Sequence, residues 1–123
     1  VDTADGELRE FMASVLEVCV CTVEDVPSGE GIRVDLADLP EPVAVFNDAG
    51  RFYALSDMCS HAEASLADGW IEDCQVECPL HSARFDLLTG KACSLPAILP
   101  VRAYPVTMTD GKVYVSVPTV GGT

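Results

Sequence analysis

Two short stretches, Cys59-Ser60-His61 and Cys78-Pro79-Leu80-His81, constrain this chain more than anything else in it. Each pairs one cysteine with one histidine, residues 62–77 lie between them, and together they use both of the chain's 2 histidines. Thiolates and imidazoles set this close, on two separate segments, form a metal-ligating set of four: Cys59, His61, Cys78 and His81. The rest of the chain then reads as a scaffold that holds two loops face to face, with Pro79 stiffening the second.

The metal follows from how the ligands are paired. Zinc sites of two cysteines and two histidines commonly pair Cys with Cys and His with His, whereas both pairs here are mixed. A [2Fe–2S] cluster with two thiolates on one iron and two imidazoles on the other uses this same set. Each mixed loop would then reach both irons, Cys59 and Cys78 as thiolates and His61 and His81 as neutral rings. Two ferric ions, two sulfides and two thiolates sum to zero charge. Four thiolates would be two units more negative, so the imidazoles ease electron uptake and raise the potential. A Cys–His nucleophilic pair would leave the second pair unexplained.

The 123 residues suffice for one domain with its own core, and no apolar run approaches the ~18 residues of a membrane span. The net charge of −13 is uneven: residues 1–81 hold 18 acids and 3 bases, residues 82–123 hold 2 acids and 4 bases. This argues against nucleic-acid binding, which needs a basic footprint. It suits solubility and an acidic docking face for basic partners. The acidic start, Val1 to Glu7, carries no secretory or twin-arginine signal. With Cys19, Cys21, Cys74 and Cys93 read as free thiols, a reducing cytoplasm is expected. Cys19 and Cys21, two apart on a predicted strand, should share a face as small buried hydrophobes.

Residues 1–14 read as a flexible N-terminal extension. Strands are expected over 15–22 and 32–36, and in hairpins 43–46/51–55, 70–71/76–78, 84–86/91–93 and 102–107/113–117. Four-residue loops should close the first two hairpins, at Asn47-Asp48-Ala49-Gly50 and Glu72-Asp73-Cys74-Gln75. Many short strands without a long helical period predict an all-β sandwich or barrel.

The segments Met58-Cys59-Ser60-His61-Ala62-Glu63-Ala64-Ser65-Leu66, Val76 to Asp86 and Thr89-Gly90-Lys91 together resemble a Rieske-type ferredoxin, above all the ferredoxin components of bacterial aromatic-ring-hydroxylating dioxygenase systems. The likeness covers residues 15–117 in strand layout and is specific at 57–98. It implies a Rieske-type β-sandwich over 15–123 with a small inserted cluster-binding subdomain at about 57–98. Ser94-Leu95-Pro96-Ala97 would be the proline loop over the cluster, its plainer reading being a surface turn. Rieske proteins of respiratory complexes add a disulfide between the loops, but Ala64 and Leu80 stand at those positions. That branch also donates to cluster sulfurs from a serine and a tyrosine, where this chain has Ala83 and Phe85. Losing both donors implies a potential near the low end of the Rieske range, about −150 mV, unless the Ser82 hydroxyl reaches the site.

The resemblance thus implies a soluble, monomeric one-electron carrier and no catalytic residue. It would take electrons from an NAD(P)H-dependent flavin reductase and pass them to a terminal Rieske non-haem iron oxygenase acting on an aromatic compound. Three alternatives stand beside it: a small Rieske-like subunit of a nitrite reductase, a detached oxygenase domain, and a zinc-stabilised binding module.

Overall fold

The computed structural model describes residues 15–59, 64–80, 83–95 and 99–118; the 1–14 extension lies outside them. The described residues form ten strands and two single 3₁₀ turns, in three antiparallel sheets. β1 (Val15–Thr22), β10 (Lys112–Pro118) and β9 (Val106–Thr109) make the first sheet, in that order. β2 (Gly31–Val34), β3 (Val43–Asp48), β4 (Arg51–Ser56) and β8 (Ala103–Tyr104) make the second, and β5 (Trp70–Glu72), β6 (Gln75–Glu77) and β7 (Arg84–Asp86) the third.

β3 explains how three sheets share one chain. Its run Val43-Ala44-Val45-Phe46 is wholly buried, because both faces of the second sheet are covered. Val43 and Val45 point into a core shared with Val18 of β1 and Val113 and Val115 of β10. Ala44 and Phe46 point the other way, into a core with Leu66, Val76 and Phe85 of the third-sheet lobe. A strand that alternates between two cores reads as a continuous apolar run. The first two sheets thus form the sandwich, and the third is a separate lobe packed on its outer face.

Pro105 joins the sandwich layers. The expected strand over 102–107 divides there into β8, which pairs with β4, and β9, which pairs with β10. Proline has no N–H to give to a ladder, while its carbonyl accepts from Ser116 N at 3.0 Å.

The hairpins are tighter than expected. β3–β4 and β5–β6 turn on two residues, Ala49-Gly50 and Asp73-Cys74, as Asp110-Gly111 does between β9 and β10. All six have positive φ, the mark of a type I′ turn. The 84–86/91–93 hairpin forms as a short pairing, with the bridge Phe85↔Ala92 and bonds from Asp86 N to Lys91 O at 2.9 Å and from Cys93 N to Arg84 O at 2.8 Å, while the other edge of β7 pairs with β6.

Cys19 and Cys21 do not share a face. Cys19 pairs with Tyr114 and Cys21 with Val113, so a β-bulge at Val20 shifts the phase of alternation. Cys19 is exposed and Cys21 packs on the sandwich core. Burial, then Asp25 and Cys19, pushes the Cys21 thiol up to about 11.

Candidate metal centre

Both predicted cysteine ligands lie in the core between the second sheet and the third-sheet lobe, Cys59 3% exposed and Cys78 0%. His61 and His81 lie outside the described residues, as does Ser82.

The two cysteines sit on loops closed in the same way. Cys59 N donates to Ala64 O at 3.0 Å, and Cys78 N donates to Ala83 O at 2.6 Å. In each loop the amide of the cysteine meets the carbonyl five residues on. The two predicted histidines, His61 and His81, fall within these two spans of the sequence.

The first loop leaves β4 at Ser56. Residues 57–59 and 64–66 run antiparallel as a narrow hairpin, with the bridge Met58↔Ser65 and a bond from Leu66 N to Asp57 O at 2.7 Å. The Asp57 carboxylate adds side-chain bonds, accepting at Oδ1 from Ser65 Oγ at 2.8 Å and Ala67 N at 3.0 Å. Its Oδ2 lies 3.8 Å from Arg33 Nε of β2. Asp57 N reaches back to Pro42 O at 3.0 Å. Behind this hairpin, Glu41 accepts from Ser56 Oγ at 2.9 Å and from the Tyr104 hydroxyl. Burial, then the neighbouring Glu41, pushes Tyr104 up to about 12, so this tyrosine donates as a neutral phenol.

The second loop is the tip of the β6–β7 hairpin, where Glu77 pairs with Arg84. The Arg84 side chain bonds Glu77 Oε1 from Nε at 3.2 Å, and its backbone N donates to Ser94 Oγ at 3.1 Å. That last contact ties the start of the predicted proline loop to the site. Pro96, Ala97 and Ile98 lie outside the described residues.

The thiols of Cys59 and Cys78 lie close enough to influence one another. Desolvation pushes the Cys78 thiol up to about 11, against a lowering bond from the Leu80 backbone, and the Cys59 thiol adds to the rise. Two buried neighbouring cysteines, one from each of two matched loops, fit a pair of thiolates held by a single iron. Ala83 and Phe85, both 0% exposed, bring no hydroxyl to this pocket. Asp57, Ser65, Arg33 and Glu41 had no assigned role in the sequence. The available signal was local: an aspartate that ends an apolar strand two residues before a ligand.

Comparison with known proteins agrees with this geometry. Residues 17–105 match the model of the Rieske [2Fe-2S] domain family. The chain is 46% identical over 102 residues to the 3-phenylpropionate/cinnamic acid dioxygenase ferredoxin subunit of Escherichia coli K12, covering 82% of this chain and 93% of that one. The structure of the Sphingomonas yanoikuyae B1 ferredoxin superposes with a TM-score of 0.78 at 34% identity, over 84% of this chain and all of that one. A ferredoxin in a complex of reduced oxygenase and oxidised ferredoxin from carbazole 1,9a-dioxygenase gives 0.76 at 33% identity, over 84% and 94%. Nitrite reductase small subunits share the fold at 24% identity, which speaks for the fold alone. With paired buried thiols on matched loops and ferredoxins as near full-length relatives, the chain belongs to the Rieske [2Fe–2S] domain family, as an electron-transfer ferredoxin that carries one Rieske-type cluster.

Proposed function

We propose that Cys59, His61, Cys78 and His81 hold the cluster, the two thiolates on one iron and the two imidazoles on the other. When bound, the cluster takes up and releases one electron. The protein's own part is to bury the sulfurs, to keep hydroxyl donors away at Ala83 and Phe85, and to hold both loops against the sandwich. The cluster-binding subdomain is residues 57–98 within a domain of 15–123. Absent donors leave the added negative charge of the reduced state poorly stabilised, which places the potential near the low end, about −150 mV.

Such a carrier serves a dioxygenase system. It receives electrons from an NAD(P)H-dependent flavin reductase and delivers them to a terminal Rieske non-haem iron oxygenase acting on an aromatic compound. It acts as a cytoplasmic monomer, apart from membrane and nucleic acid; among the described residues no helix is long and apolar enough to cross a bilayer. Met58 and Leu80, beside the two ligand loops, are exposed at 56% and 44% and offer an apolar rim to partners. The supporting observation is the likeness to ferredoxin subunits along 93% of a relative's length, joined to the buried thiol pair.

Anaerobic reconstitution, iron and sulfide analysis and low-temperature spin resonance of the reduced protein test the ligand set. Two irons and two sulfides per chain are expected, with both lost in the Cys78→Ala variant. One zinc in a colourless chain would overturn the proposal. A redox titration with a midpoint above about +100 mV, well inside the upper Rieske range, would refute the donor argument.

A further inference from the structure

We propose that Asp57 is a positioning residue for the first ligand loop and that its charge, offset by Arg33, sets the cluster's potential. The proposal rests on the ligand assignment above and goes beyond it to residues that do not touch the metal.

The geometry carries the first half. The Asp57 side chain is 4% exposed. Its Oδ1 accepts from Ser65 Oγ and Ala67 N across the loop from Cys59. Its backbone joins the loop to Leu66 on one side and to Pro42 on the other. One residue thus fixes both the stem of the loop that carries Cys59 and that stem's attachment to the sandwich.

The choice of side chain carries the second half. An asparagine could present the same Oδ1 acceptor to Ser65 and Ala67. It would avoid the cost of burying a charge, which exceeds that of burying a hydrogen-bonded amide. The chain keeps a carboxylate here, two residues from Cys59, and meets it with one cation at 3.8 Å. A fixed negative charge beside a site that gains an electron opposes reduction. Apolar Ala83 and Phe85 act in the same direction, so Asp57 and the missing donors both hold the potential low. Arg33 opposes them. Its side chain is 53% exposed, so its share is open to solvent screening.

Redox titration of reconstituted wild-type, Asp57→Asn, Asp57→Ala and Arg33→Gln proteins tests this, with iron and sulfide counted in each. Asp57→Asn is expected to keep the cluster and shift the equilibrium several-fold to tenfold toward the reduced form. Tenfold is about 59 mV for a one-electron couple. Arg33→Gln should shift it the opposite way by a smaller factor, and raising the salt should shrink that difference. Asp57→Ala, lacking both loop bonds, should lose cluster several-fold faster than Asp57→Asn. An unchanged potential in Asp57→Asn would overturn the charge-setting role. An Asp57→Ala protein as retentive as wild type would overturn the positioning role. A Cys59→Ser protein with an unaltered cluster would instead bring down the ligand assignment and this proposal with it.

Discussion

The two ligand loops close alike and are held differently. Cys59 and Cys78 each donate an amide five residues ahead. The first loop then depends on a polar staple: buried Asp57, bonded to Ser65 and Ala67 and paired with Arg33 from a distant strand. The second depends on packing, as the tip of a hairpin whose Val76 and Phe85 are fully buried. Its polar link, Arg84 to Glu77, is half-exposed. A hairpin inside a sheet inherits its rigidity from the ladder and the core. The loop that leaves the end of β4 has one bridge, Met58↔Ser65, and buried Leu66, and side-chain bonds supplement these.

Removing Phe85 tests this difference with the largest effect. Phe85→Ala should destabilise the protein by about 3–5 kcal/mol and loosen the second loop first. Thermal unfolding of the cluster-loaded protein, followed by cluster absorbance, measures it. A cost below about 1 kcal/mol, far under the usual range for a buried phenylalanine, would mean that packing does not hold this loop.

Polar substitutions should rank the other way round. Ser65→Ala removes a bond to a buried carboxylate and should cost about 1.5 kcal/mol. Arg84→Gln removes a partly exposed ion pair and should cost no more than about 1 kcal/mol. Denaturant midpoints of the two variants decide the order. If Arg84→Gln is the more costly, the polar staple belongs to the second loop instead.

The smallest effect appears only in alkali after the cluster is stripped. Cys78 in the folded chain sits at about 11 rather than the usual 9.0, so folding favours its neutral thiol. That contribution is complete below pH 9.0 and is lost as pH rises toward about 11. The cluster-free protein should weaken over that window, and Cys78→Ala should weaken less. Equal losses in both would show that the second loop's thiol is not the group responsible.

How much of this was legible depended on how local each signal is. The four ligand candidates and the Asp110-Gly111 turn stand in the sequence because adjacent residues carry them. The Asp73-Cys74 turn, like Ala49-Gly50, was read two residues too long, because the polar residues Glu72 and Gln75, and likewise Asn47 and Asp48, pair in the ladders although they read as loop. Leu87 N, bonded to Cys74 O at 3.0 Å, helps hold that turn from outside it. The third hairpin, 84–86/91–93, was legible, whereas the pairing of β7 with β6 through its other edge was not, since β6 lies upstream of the second loop. Cys19 and Cys21 changed faces because period-2 alternation fails at a bulge.

Composition and spacing alone determined an all-β chain with a candidate two-cysteine, two-histidine metal set and a strongly acidic net charge, since strand periodicity and ligand chemistry are properties of near neighbours. Tertiary structure decided which strands share a sheet, that β3 serves two cores, and that Arg33 and Asp57 meet beside a ligand loop. Those outcomes depend on contacts between residues far apart in the chain. Such contacts form only when two faces bury apolar surface against each other, and no local pattern records them.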